Sequence, residues 1–336
     1  MGSALMTDLR DLIRLPRVWE KLARVEERLL EAATSDDPYL TKIAQHLLLA
    51  GGKRFRPLLA LLAAEFGREP YDHRPVEAAV SVELIHVGSL YHDDVIDESD
   101  TRRGAPSVNA NWTNTVAILA GDFLMARASE VAATHLSQES VRLLAVTYAE
   151  LVEGQTREMQ LVDSLHHSVA DYERVIAGKT ASLIRTSARL GAMAAGADPE
   201  VVEGLTEWAW ELGMVFQMAD DALDLVGTED SLGKPAGSDI REGTFTLPVL
   251  AAIRDESGGR LRQLLDRPRP LPDEVVEESI RLLREGGWVD RAIDSALARV
   301  ERAQEILDRL PDRPARAVLE GLGRYLVARV ESERGN

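Results

Sequence analysis

The chain has 336 residues, 45% of them hydrophobic, which is ample for a sizeable buried core. Its 56 acidic residues against 39 basic ones give a net charge of −17, and this argues against nucleic acid, whose footprint needs clustered Lys and Arg in excess. The absence of cysteine excludes disulfides, thiolate metal sites and a cysteine nucleophile, and it fits a reducing, cytoplasmic setting.

The opening MGSALM, residues 1–6, reads as a cloning remnant ahead of a second methionine, and Met6 stands where a myristoylation pattern needs Ser or Thr. No signal peptide and no run of about 20 apolar residues follows, so no transmembrane segment is expected. From residue 7 to 336, apolar residues recur at three- and four-residue steps, and Gly, Pro, Asp and Ser gather in short breaks. Aromatic residues are 5% of the chain, and no alternating stretch bounded by hairpin turns is evident. The pattern predicts an all-α fold in a single domain, without internal repeats.

The first informative break is GGKRFRP, residues 51–57, where Lys53, Arg54 and Arg56 on a glycine-hinged loop can converge on a phosphate. A predicted helix with Val76, Val80, Leu84, Val87 and Tyr91 on its apolar face then runs into HDDVIDESDTRRG. There Asp93, Asp94, Asp97, Glu98 and Asp100 crowd together, followed at once by Arg102 and Arg103. Asp93 and Asp97 are four residues apart, so they share a helix face one turn, about 5.4 Å, from each other. Like charges at that spacing cost a helix a few tenths of a kcal/mol, and a cation removes the penalty. The segment is not an EF-hand, because Val95 occupies the third ligand position and the sixth-position glycine is missing.

Further on, GKT at 178–180 suggests a phosphate-binding P-loop, but that pattern needs glycine five residues before Gly178 and finds Glu173. The next long apolar helix carries Trp208, Leu212, Val215, Ala219 and Leu223 and runs into MADDALDLVG. This is a second Asp-Asp-x-x-Asp, at Asp220, Asp221 and Asp224. One such motif alone reads as a solvated acidic helix end, whereas two copies, each closing a strongly apolar helix, point to hard-cation binding. Mg²⁺ fits, since it keeps waters and takes one or two carboxylates together with phosphate oxygens. With the basic segments added, the ligand class is a metal-bridged diphosphate. The last helices, with Ile293, Leu297, Val300, Ala303 and Leu307 on one face, read as packing.

The ordered segments GGKRFRP, HVGSLYHDDVIDESDTRRG, GDFLMARA, GKTASLI, FQMADDALDLVG and KPAGSDIREGTFTLP resemble the trans-polyprenyl diphosphate synthases, and HDDVIDESDTRRG resembles the quinone side-chain type in particular. The resemblance covers nearly the whole chain. It implies a single bundle of long antiparallel helices around a central cavity, the isoprenoid synthase fold, usually as a homodimer. It implies that Asp93, Asp97 and Asp220 bind three Mg²⁺ ions that hold an allylic diphosphate, supported by Asp94, Asp221 and Asp224. Arg102 is then a contact of the allylic diphosphate, and Lys53, Arg56, His86 and Arg103 form the isopentenyl diphosphate site. Lys179, Thr180, Gln217 and Lys234 match residues flanking the reacting carbon and the allylic diphosphate. His92 is expected to be structural.

The implied reaction is ionisation of the allylic diphosphate, attack by the isopentenyl double bond, and loss of a proton, with no protein nucleophile. One departure is Thr244 in GTFTLP, where the family commonly has Gly-Lys-x-Thr-Leu-Pro; a positive charge near the allylic diphosphate is lost, while Lys234 and Asp239 remain. Product length follows from helix geometry: Gly88 and Ser89 lie about one turn below Asp93, and Ile85 about two. Bulky aromatics at the first two positions close the tunnel early in fifteen-carbon synthases of the family. The small residues here predict an all-trans product of about C30 to C50, serving menaquinone or a similar quinone. A geranylgeranyl product is the alternative if a deeper residue near Met125 stops growth. A long apolar product would call for peripheral membrane contact at release. A non-catalytic regulatory subunit would have lost an Asp motif, and a terpene cyclase would want an aromatic pocket and have no use for GGKRFRP.

Overall fold

The computed structural model describes residues 9–228, 235–255 and 258–334. Its main helices are α1 (Pro16–Ala32), α2 (Phe55–Ala64), α3 (Arg74–Ile96), α4 (Asn114–His135), α5 (Gln138–Leu161), α6 (Val169–Ile176), α7 (Ser182–Ala194), α8 (Pro199–Val226), α9 (Trp288–Leu307) and α10 (Pro314–Arg334). The breaks seen in the sequence become their ends. Proline occupies the first turn of α1, α3 and α8, where a missing N–H is tolerated. Thr113, Ser137 and Ser168 cap α4, α5 and α6 by accepting from backbone N–H groups of the first turn.

The fold is all-α, as expected. Helices α3 and α4 lie antiparallel along much of their length, α8 packs on α7, α9 and α10, and α7 closes against α2. The expected apolar stripe on α3 is wider than its spacing suggested: Val76, Ala78, Ala79, Val80, Val82, Leu84, Ile85 and Val87 are all buried. A helix buried on every side belongs in the middle of the bundle. Among the described residues, no helix is long and apolar enough to cross a membrane.

A small element beyond α3 is not helical. Strands β1 (Thr101–Arg102) and β2 (Ala105–Pro106) form a small antiparallel hairpin, with Thr101 opposite Pro106. Its two turn residues, Arg103 and Gly104, have φ of +56° and +75°, the combination a tight two-residue hairpin turn requires. Arginine in the left-handed region is strained, and tertiary contacts of its guanidinium hold it there.

Candidate active site

Helices α3 and α8 bring their C-terminal ends to the same end of the bundle. Asp93 lies in the last turn of α3 and Asp97 caps it, while Asp220, Asp221 and Asp224 occupy the last two turns of α8. A helix C-terminus carries partial negative charge, so carboxylates there are electrostatically misplaced until a cation arrives. Between these ends opens a cavity of about 300 Å³, whose wall includes Asp97, Arg102, Lys179, Thr180, Gln217, Asp220 and Asp221 from the sequence reading.

Burial sets the charge balance of these acids against full ionisation. Burial pushes the Asp93 carboxyl up to about 6, with Asp97 adding and Lys179 opposing. Burial likewise raises Asp221, despite hydrogen bonds from Tyr172 and Gln217, and both Asp220 and Glu158 add to the rise. Glu158 acts on Asp93 as well, so the two motifs face one another across it. Among the described residues, no three carboxylate or imidazole groups converge tightly enough to cage an ion alone. That suits a divalent cation that takes its remaining ligands from water and phosphate. The donor set is entirely oxygen, the right chemistry for Mg²⁺.

Two acids of the motifs do other work. Asp94 is fully buried and accepts from Arg102 at 2.6 Å, so it faces away from the cavity that Arg102 lines. Asp224, 4% exposed, accepts from the Asp239 N–H at 3.2 Å and ties the 237–239 segment to α8. The two motifs therefore differ in which acid turns aside: the middle one, Asp94, in the first, and the last one, Asp224, in the second, where the middle acid Asp221 lines the cavity with Asp220.

Beside the acidic mouth stands a basic cluster. Arg56 donates to His86 Nε2 at 3.2 Å; burial brings the Arg56 guanidinium down to about 10, and burial with Arg56 and Arg103 holds His86 well below its usual value, hence neutral. Asp93 acts on Arg56 and Asp220 on Lys53, so this cluster adjoins both motifs. Burial lowers Lys53, as does Arg329 from α10, a residue that nothing in the sequence singled out. Arg103 donates to the carbonyls of Leu47 and Gly51 and lies 3.7 Å from Glu83. Arg54 is different from its loop neighbours. Its φ of +45° turns the guanidinium into the core, where it meets Glu26 at 2.6 Å, Glu83 at 3.0 Å and the Leu48 carbonyl at 2.9 Å. It is a buried strut, not a donor on an open loop.

Lys179 and Thr180 sit in a π-helical turn, Ala177–Ala181, between α6 and α7. Such turns re-aim side chains at functional sites. Gly154 of α5 makes the turn possible, because a Cβ there would stand 2.4 Å from the Lys179 nitrogen. Lys179 is paired with Glu158, and Thr180 donates to Gln217 Oε1 at 2.7 Å. Gln217 Nε2 and Tyr172 OH both donate to Asp221, at 2.8 and 2.6 Å. Glu158, Tyr172 and Glu83 were missed in the sequence, since no local pattern marks them. Thr244 lines the cavity as expected, and Lys234 lies outside the described residues. His92 bridges α3 to α4 through the Ile118 carbonyl at 3.2 Å and Asp122 at 3.4 Å, a structural role.

The positions read as chain-length determinants do not line the 300 Å³ cavity. Ile85 is 4% exposed, and Ser89 donates to the His86 carbonyl at 2.9 Å. A Cβ on Gly88 would stand 3.0 Å from Met125 Cε and 3.1 Å from the Gly121 carbonyl. The small residue at 88 therefore allows α3 and α4 to touch, with the end of the Met125 side chain packed against it.

The description of a polyprenyl synthetase family model fits residues 37–283. A nonaprenyl diphosphate synthase of Mycobacterium tuberculosis is 43% identical over 325 residues, covering 96% of this chain and 96% of its own. A geranylgeranyl diphosphate synthase of Methanosarcina mazei is 37% identical over 297 residues, covering 86% of this chain and 90% of its own. A crystal structure of a Caulobacter crescentus CB15 polyprenyl synthase, complexed with calcium and isoprenyl diphosphate, superposes with a TM-score of 0.88 at 34% identity, covering 95% of this chain and 97% of that one. The chain belongs to the polyprenyl synthetase family and is a prenyltransferase.

Proposed function

We propose that the chain, as one domain over residues 7–336, condenses isopentenyl diphosphate with an allylic diphosphate in the presence of Mg²⁺ to give an all-trans polyprenyl diphosphate. The observation that carries the reading is the convergence of two acidic helix ends, Lys179 and Arg102 on one cavity with a basic cluster at its side. Mg²⁺, when bound, would supply Lewis-acid neutralisation of the leaving diphosphate. Asp93, Asp97 and Asp220 would hold it, with Asp221 behind them. Arg102 and Lys179 bring further positive charge to the allylic diphosphate, which favours its departure. Lys53, Arg56, neutral His86 and Arg103 orient isopentenyl diphosphate, so that positioning carries much of the rate. Thr180 and Gln217 turn oxygens toward the carbon that becomes positive, and neither acts as a nucleophile.

The nonaprenyl relative and the absence of aromatics at Gly88 and Ser89 support a product of about C30 to C50, made in the cytoplasm for a quinone side chain. The placement of Met125 over Gly88 favours a second reading, a product stopping near twenty carbons, as the name of the geranylgeranyl relative suggests. Exposed Leu119, Val152 and Met159 on α4 and α5 are apolar surface that a second copy would cover in a homodimer. The deciding experiment incubates the protein with Mg²⁺, labelled isopentenyl diphosphate and farnesyl or geranylgeranyl diphosphate, then sizes the dephosphorylated products. A ladder ending at thirty carbons or more supports the long-chain reading, a stop at twenty replaces it with the shorter one, and no incorporation overturns the function.

A further inference from the structure

Four cavity side chains form one continuous chain of hydrogen bonds. Tyr172 OH donates to Asp221 Oδ2 at 2.6 Å, Gln217 Nε2 donates to Asp221 Oδ1 at 2.8 Å, and Thr180 Oγ1 donates to Gln217 Oε1 at 2.7 Å. All four line the cavity, and Tyr172, which reaches in from α6, is 5% exposed. The reaction outlined above gives Tyr172 no task.

The directions of these bonds depend on one another. An ionised carboxylate can only accept, so Asp221 requires a donor at each oxygen. Gln217 must then turn its NH₂ toward Asp221, because the flipped amide would set two acceptors 2.8 Å apart. Its oxygen is left to take the Thr180 proton. The threonine hydroxyl consequently shows lone pairs to the cavity. With Gln217 flipped, Thr180 would accept instead and could aim its proton inward, the wrong polarity for a cationic intermediate. Tyr172 holds the far end. Without its hydroxyl, Asp221 Oδ2 would be buried without this donor, and the carboxylate would be free to rotate, which removes the constraint on Gln217.

We propose that Tyr172 is a positioning residue: through Asp221 and Gln217 it sets the direction of the Thr180 hydroxyl, so that oxygen lone pairs face the allylic carbon as it becomes positive. The inference rests on the prenyl transfer reading and specifies how that cavity is polarised.

Tyr172→Phe keeps the ring and its packing. The expected result is a kcat lower by roughly ten- to a hundredfold, the size of a lost hydrogen bond to a charged group. The KM for isopentenyl diphosphate and the half-saturating Mg²⁺ concentration should stay within about twofold. Thr180→Val removes the end of the chain, and the double variant should be no slower than Thr180→Val alone, because both changes interrupt one relay. If Tyr172→Phe fails to fold, Tyr172→Met, which likewise removes the hydroxyl, takes its place in the same cycle with Thr180→Val. Effects that multiply in the cycle would overturn the inference, as would a raised Mg²⁺ requirement that accounts for the loss, since Tyr172 would then serve the ion through Asp221. Wild-type protein that incorporates no isopentenyl diphosphate would overturn the prenyl transfer reading and this inference together, whereas an additive cycle in an active enzyme removes only the latter.

Discussion

Arg102 and Asp94 are joined through Nε and Nη2 on a single carboxylate oxygen, Oδ1, each at 2.6 Å. Asp94 is fully buried, and its other oxygen has no hydrogen-bond partner among the described residues. Burial raises its carboxyl, and the hydrogen bond from Arg102 opposes that rise. The middle acid of the first motif is therefore a holder for an arginine that lines the cavity. Asp94→Asn should raise the KM for the allylic diphosphate by roughly tenfold or more while leaving the Mg²⁺ requirement close to wild type. Asp97→Asn should instead raise the Mg²⁺ requirement. Steady-state kinetics with Mg²⁺ and allylic substrate varied separately distinguish the two, and equal effects on Mg²⁺ would return Asp94 to the ion.

Glu83 has a comparable place in the basic cluster. It is 1% exposed, lies 3.0 Å from Arg54 and 3.7 Å from Arg103, and also acts on Arg56. Three guanidiniums thus share one buried counter-charge. Glu83→Gln keeps the shape and removes the charge. Removing one partner of a buried ion pair typically costs about 3–5 kcal/mol, so chemical denaturation should show a loss of that order. The KM for isopentenyl diphosphate should rise as Arg103 and Arg56 separate. Unchanged stability would mean that Glu26 alone suffices for Arg54.

What was legible in the sequence was what lies close along the chain. Asp93 and Asp97 are four apart on one helix, and the 3.6-residue period alone puts them on one face. Tyr172 lies 49 residues from Asp221 and Glu158 lies 21 from Lys179, so neither pairing exists until α5, α6 and α8 are packed. Arg54 and Arg56 look equivalent in GGKRFRP, yet a left-handed backbone at Arg54 sends its side chain inward. Gly88 shows the limit of reasoning from one helix. A small residue can mean open space or close helix contact, and only the position of α4 decides which.

Asp93 yields a pH prediction whose sign is fixed by burial. Its folded value of about 6 lies above the ordinary 3.8, so the folded protein holds more protons than the unfolded chain between those limits. The ionised carboxylate is therefore a destabilising group, its cost absent below about pH 4 and complete above about pH 6. Without metal, Asp93→Asn should be more stable than wild type by about 1–2 kcal/mol at pH 7.5, a figure reduced for the residual exposure of the group. The gap should close below pH 4. Mg²⁺ with inorganic diphosphate should reverse the order by stabilising the wild type alone. Melting temperatures at the two pH values, with and without both ligands, check this, and a variant less stable than wild type at pH 7.5 without metal would contradict it.

The contact between Met125 and residue 88 bears on product length. Met125 Cε stands 3.0 Å from where a Cβ on Gly88 would be, a partly buried and flexible side chain lodged between α3 and α4 about one turn below the first acidic motif. Such a thioether can swing aside as a chain grows, at a cost that rises with each added unit. Met125→Ala should therefore lengthen the main product by at least one five-carbon unit, and Gly88→Phe should shorten it to fifteen or twenty carbons. The reacting carbons would lie at the acidic mouth, so the rate of a single condensation should change less in Met125→Ala than the product length does. Chromatographic sizing of dephosphorylated products from the two variants, beside single-condensation rates, separates a length effect from a general loss of activity. If both variants keep the wild-type distribution, the growing tail leaves between other helices, and the α3–α4 contact is packing alone.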